Sequence, residues 1–141
     1  MKVLFDSNVH ISNAVFGGAA GRAVRTTLEA RWKIFVCETI LKEVSRIVQD
    51  KFGRSKSFAS TTVQTLRSIA EIANEPASRH LVPGDPNDAP ILRAAIGAGV
   101  DYLVTGDKAL LALDPIEGVR IVNLTDFLVV LRNEGLLGRQ S

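Results

Sequence analysis

Lys2-Val3-Leu4-Phe5-Asp6-Ser7-Asn8, near the start of the chain, and Tyr102-Leu103-Val104-Thr105-Gly106-Asp107, far along it, share one pattern. In each, a short run of apolar, strand-forming residues ends at or just before an acid. Runs that are apolar throughout, rather than alternating, belong to strands buried on both faces, and such strands form parallel sheets covered by helices. In open sheets of this kind, binding sites lie beyond the carboxyl ends of the strands. Asp6 and Asp107 fall there.

Working outward, residues 7–16 have helical spacing, 17–21 (Gly17-Gly18-Ala19-Ala20-Gly21) read as a break, and 22–32 read as a second helix. A strand over 33–37 precedes a helix over 39–50 that carries Ile40, Val44, Ile47 and Val48 on one face. Residues 52–57 are polar and contain glycine, which predicts a turn, and 58–70 predict another helix. A short strand is expected near 70–73, a helix over 88–98, a strand over 101–105 and a short helix after Asp107. A strand over 119–122 and a closing helix over 125–132 complete the order. Strands alternating with helices indicate an α/β domain of three layers, α/β/α, around a central, mainly parallel sheet. It is expected to be a single domain over 1–141, with its core at about 2–132 and a tail at 133–141.

Composition sets the outer limits. With 141 residues, 46% hydrophobic and 23% charged, the chain has the balance of a soluble globular domain rather than a disordered one. A net charge of +2 permits contact with nucleic acid without demanding it. The single cysteine, Cys37, excludes an internal disulfide and any zinc site built on several thiolates, and its place after Ile34-Phe35-Val36 predicts a buried, inert thiol. Asp6 interrupts the N-terminal apolar run before a secretory signal could form, and no stretch approaches the about 20 apolar residues of a membrane span. The expected compartment is the cytoplasm.

Four acids carry the chemistry: Asp6, Glu43, Asp88 and Asp107. Each lies at a strand end or beside the apolar face of a helix, where a carboxylate loses water and is costly to keep charged without a partner. Each also has a structural explanation. Asp6 and Asp107 precede helices and are good N-caps. Asp88 lies in Asp85-Pro86-Asn87-Asp88-Ala89-Pro90, where either Asp85 or Asp88 could open a helix. Glu43 is too far into its helix to cap it, and the alternative there is an ion pair with Arg46, worth a few tenths of a kcal/mol. Taken together, four acids at one edge of one sheet would make a site for divalent metal.

Other chemistries lack their signatures. No GxGxxG or Walker lysine accompanies the Gly17–Gly21 region, and Ser7 is not in a GxSxG elbow. His10 and His80 lack the HExxH spacing and read as structural or exposed.

On these residues the chain resembles the PIN-domain ribonucleases, which include VapC-type toxins of toxin–antitoxin pairs. Val3-Leu4-Phe5-Asp6-Ser7-Asn8-Val9 is similar to the family's strand followed by Asp-Thr/Ser-Asn. Leu41-Lys42-Glu43-Val44 resembles its helix with an inward glutamate. The segment from Asp85 to Leu92, with Ala94-Ala95, resembles the part bearing the third acid, and Tyr102 to Asp107 resembles the strand ending in Thr-x-Asp. Ser7 stands where Thr is commoner, and His10 and Asn13 stand where the family usually has apolar or small residues.

The resemblance implies a metal-dependent endoribonuclease in which Asp6, Glu43, Asp88 and Asp107 hold Mg²⁺ or Mn²⁺. Ser7, Asn8 and Thr105 would orient those carboxylates by hydrogen bonding. It also implies an RNA substrate, a cognate antitoxin and a homodimer. Arg22, Arg25, Lys51, Arg54, Lys56 and Lys108 are candidate phosphate contacts, with solvated helix faces as the alternative. Two other functions stay open. One is a non-catalytic PIN-type module that binds RNA or a protein. The other is an aspartate-dependent phosphatase using Asp6, against which Asn8 stands where such enzymes usually place a second Asp.

Overall fold

Val3, Leu4 and Phe5 are fully buried and form β1 (Lys2–Phe5), the middle strand of a five-stranded sheet. The computed structural model describes residues 1–76 and 89–137. After β1 the chain runs through α1 (Ser7–Phe16), α2 (Gly18–Glu29), β2 (Lys33–Val36), α3 (Glu38–Asp50), α4 (Lys56–Ile69) and β3 (Glu71–Ile72). It continues through α5 (Pro90–Ala98), β4 (Tyr102–Val104), α6 (Lys108–Leu111), β5 (Arg120–Val122) and α7 (Leu124–Asn133).

The strand order is β3-β2-β1-β4-β5, and every neighbouring pair is parallel. Successive strand residues point to opposite faces, so the burial of whole runs requires helices on both sides. Leu4, Leu103 and Ile121 pack on one face with Ile40, Val44, Leu92 and Ala95 of α3 and α5. Val3, Phe5, Val104 and Val122 pack on the other with Ala23 and Val24 of α2 and Phe127 and Leu131 of α7. The expected three-layer α/β/α arrangement is what forms. Phe127 anchors the second layer, meeting the rings of Phe5, Trp32 and Tyr102 edge-on at centroid distances of 5.4, 6.4 and 5.9 Å. Such pairs add roughly 0.5–1.5 kcal/mol each beyond area burial.

The strand order fixes where a site can lie. From β1 the chain steps outward to β2 and β3, then returns to lay β4 on the opposite side of β1. The order reverses between β1 and β4, and at such a switch point the loops part to leave a crevice at the carboxyl ends.

One helix boundary departs from the sequence expectation. The break expected over 17–21 shrinks to Gly17 (φ 73°), and α2 begins at Gly18 and ends at Glu29 rather than spanning 22–32. Glycine's poor helix propensity predicted the longer break. α1 and α2 pack closely here: a Cβ on Gly21 would stand 2.8 Å from Asn13 Oδ1, and that side chain would have to shift to admit it. The remaining elements fall close to expectation, including the short strand near 70–73. Cys37 is buried at the N-cap of α3, and burial pushes its thiol up to about 12, which makes it inert at neutral pH. The start expected for the 88–98 helix lies outside the described residues, as do His80 and residues 138–141.

Candidate functional site

Asp6 continues the ladder of β1, its N–H donating to Val104 O at 2.8 Å, before the backbone turns into α1. It is the N-cap of that helix, and its Oδ1 accepts from Ser7 N–H at 2.7 Å. Its other oxygen, Oδ2, accepts a 2.6 Å hydrogen bond from the hydroxyl of Thr105, the residue just past β4. That length lies in the range of a hydroxyl bonded to a charged carboxylate. Thr105 is buried and its own N–H donates to Val122 O at 2.9 Å, so the hydroxyl is held from both sides of β4.

The same hydroxyl oxygen accepts from Asp107 N–H at 3.0 Å. Thr105 therefore ties the ends of β1 and β4 together. Asp107 is exposed, and its Oδ1 accepts from Ala109 N–H at 2.8 Å and Leu110 N–H at 3.4 Å, which caps α6. Glu43 enters from α3. The Ser7 hydroxyl donates to its Oε2 at 3.2 Å. Ser7 thus serves two acids at once, Asp6 through its backbone and Glu43 through its side chain.

The ion pair with Arg46, the structural alternative for Glu43, does not form. The ion pairs among the described residues are Lys33–Glu71, Arg67–Glu38 and Arg120–Asp114. Capping does occur at both Asp6 and Asp107, so the structural explanation for each is realised. It does not exhaust the residues, because each carboxylate offers about four lone-pair sites and capping uses one or two.

Asp6, Glu43 and Asp107 are joined through Ser7 and Thr105, and none of the three is in an ion pair among the described residues. Asp88 lies outside the described residues. Among the described residues no three His, Cys, Asp or Glu side chains gather closely enough to hold an ion. The donor set is nonetheless carboxylate and hydroxyl oxygen with no cationic partner, which in kind suits a hard dication. Asn8 is exposed beside Ser7.

Of the candidate phosphate contacts, Lys51, Arg54 and Lys56 cluster where α3 turns into α4, and Lys108 follows Asp107. Arg22 and Arg25 lie on α2, which packs against α1 and α7. Arg46, the alternative ion-pair partner of Glu43, lines a groove between α1 and α3.

The polar residue at position 10 is the other departure from a plain core. His10 is 2% exposed, meets the Phe5 ring edge-on at 5.8 Å, and neither ring nitrogen has a hydrogen-bond partner among the described residues. Burial lowers its pKa to about 4, so the imidazole is neutral.

A parallel sheet with this order and acids beyond the ends of β1 and β4 define an α/β domain with hydrogen-bonded carboxylates at its switch point. The family model for the PIN domain matches residues 2–109, and the chain belongs to the PIN-domain family. A comparison with the curated proteins finds no match. Two solved structures are similar in fold. One is VapBC2 from Rickettsia felis bound to a DNA fragment from its promoter, at 17% identity and a TM-score of 0.62, covering 87% of this chain and 98% of that one. The other is PAE2754 from Pyrobaculum aerophilum, at 19% identity and a TM-score of 0.62, covering 94% of this chain and 90% of that one. Among the described residues, no helix is long and apolar enough to cross a membrane.

Proposed function

We propose that this chain is a metal-dependent endoribonuclease that hydrolyses RNA phosphodiester bonds, and that it is the toxin of a toxin–antitoxin pair. The observation that carries the nuclease reading is the hydrogen-bonded link from Glu43 through Ser7, Asp6 and Thr105 to Asp107, three carboxylates with no cationic partner among the described residues, at the sheet's switch point. Membership of the PIN family supports it. The toxin role, a cognate antitoxin and the cytoplasmic location rest on the likeness to the VapBC2 structure and to the family. A homodimer rests on the family resemblance alone.

In this reading Asp6, Glu43, Asp88 and Asp107 hold Mg²⁺ or Mn²⁺. When bound, such an ion polarises the phosphodiester and lowers the pKa of a water that attacks phosphorus. The chain's own residues prepare that site. Thr105 donates to one Asp6 oxygen and Ser7 N–H to the other, which fixes the plane of the carboxylate. Ser7 Oγ sets the direction of Glu43. Partners of this kind commonly change metal affinity or activity 10–100-fold, so Ser7 and Thr105 matter beyond their small share of stability.

A non-catalytic PIN-type module that binds RNA or protein is the second reading, favoured by the capping roles of Asp6 and Asp107. One experiment separates the two. Single-stranded RNA incubated with the protein is expected to be cleaved in Mg²⁺ or Mn²⁺, left intact in EDTA, and cleaved again when metal is restored. RNA that is bound but stays whole under all three conditions would support the module.

A further inference from the structure

We propose that the groove between α1 and α3 is the track for single-stranded RNA, with the Phe16–Phe52 ring pair as a base-stacking platform and Arg46 and Lys51 as its phosphate contacts. The proposal rests on the ribonuclease reading for the direction of the track, but its test does not depend on turnover.

The groove begins just beyond the acids, which do not themselves line it. Asn8, which follows Ser7, and Arg46, one turn beyond Glu43, line it together. It holds about 370 Å³ and extends to Phe16 and Phe52. Two contacts fix the alignment of its walls: Ser7 meets Glu43 at one end, and the rings of Phe16 and Phe52 meet at the other. The two contacts are separated by the same interval in each segment, so α1 and α3 leave the acid site side by side. From Asn8 to Phe16 the helix rises about 12 Å, the length of roughly three stacked nucleotides at ~3.4 Å each.

Its chemistry is that of a single-strand binder. Phe16 is 71% exposed, the largest exposure among the exposed large hydrophobic residues, and its ring meets Phe52 edge-on at 5.7 Å. Lys51 Nζ lies 5.7 Å from the centre of the Phe52 ring. Neither Arg46 nor Lys51 is in an ion pair among the described residues, and Asp50 is the one acid beside them in the groove. An exposed ring backed by a half-buried one, beside cations outside any ion pair among the described residues, suits the bases and phosphates of a flexible strand, because any base offers a face to stack. The 71% exposed ring of Phe16 beside two cations outside any ion pair among the described residues favours a nucleic-acid strand as the occupant, and a protein segment is the alternative outcome of the test.

The test is binding of a fluorescently labelled single-stranded oligoribonucleotide to the full chain in EDTA, followed by anisotropy across a salt series. Phe16→Ala is expected to weaken binding about 5- to 100-fold, the range for losing one stacked base. Phe16→Tyr should restore it, whereas Phe16→Leu should not. The double variant Arg46→Ala/Lys51→Ala should lower the slope of log affinity against log salt by about 1.4, at ~0.7 per phosphate contact. Phe16, Arg46 and Lys51 are all exposed, so these variants fold. Unchanged affinity and slope would overturn the groove, as would RNA binding by no form of the protein. Rescue by Phe16→Leu as good as by Phe16→Tyr would also overturn it and assign the groove to a protein partner. Weakened binding in the variants, with no metal-dependent cleavage by the wild type, would leave the groove standing and remove the ribonuclease reading instead.

Discussion

Asp6→Asn is expected to lower RNA cleavage by about 100-fold or more while leaving the fold in place. Loss of a hydrogen-bonding partner of a metal-bound carboxylate costs roughly 10–100-fold, so loss of the carboxylate charge itself should cost at least the upper end. The substitution keeps the structural duty of the residue. Asn caps a helix as well as Asp does, and an amide can still accept from Ser7 N–H. Even complete loss of a cap costs only about 1 kcal/mol, against about 5–15 kcal/mol for a typical domain, so an inactive variant is not an unfolded one. Asp107→Asn should behave likewise, and Thr105→Val, which removes the hydroxyl joining Asp6 to Asp107, should cost roughly 10–100-fold. Cleavage rates with Mg²⁺ or Mn²⁺, measured beside circular dichroism spectra, check all three. Undiminished cleavage in both Asn variants would sink the assignment of these acids.

The protein should lose about 3 kcal/mol of stability between neutral pH and about pH 4 through His10 alone. Burial lowers the folded-state pKa of His10 from 6.5 to about 4. Between those values the unfolded chain binds the proton and the folded chain does not. The contribution is therefore fully present above about 6.5 and is lost as pH falls toward 4. His10→Leu removes the titration and also the two unpartnered ring nitrogens, each of which costs about 1–3 kcal/mol when buried. The variant should equal or exceed the wild type in stability at neutral pH and show a flat profile over this window. Carboxylates whose pKa values are lowered by folding, such as Asp114 beside Arg120, act in a more acidic window and remain in both proteins. Urea unfolding midpoints at several pH values decide the matter; parallel curves for the two proteins would reject the role of His10.

Much of the architecture was legible because its signals are local. Val3-Leu4-Phe5 and Leu103-Val104 are apolar on both faces, and that alone predicts central parallel strands. The acids that end the strands were equally legible, since the topology of an open sheet puts strand ends at its binding edge. The start of α2 was not. Gly17, Gly18 and Gly21 suggest a break, but the alanines between them favour helix and α2 packs against α1 and α7, which local spacing does not record. Arg46 was legible only as an alternative ion-pair partner of Glu43. Helical spacing offers Glu43 as its neighbour, but Glu43 is bonded to Ser7 on another helix, which local spacing does not record.

By itself the sequence determined the class of fold, the parallel sheet and the placing of Asp6 and Asp107 beyond strand ends, because burial pattern and strand ends are written residue by residue. The tertiary structure alone decided that β4 lies beside β1, and so that Thr105 and Asp6, far apart in the chain, share a 2.6 Å hydrogen bond. It also decided that His10 is buried against Phe5 without a hydrogen-bond partner among the described residues, and that Phe16 meets Phe52 at the end of a groove. These are contacts between separate elements, set by how helices pack and strands order, and no local propensity specifies them.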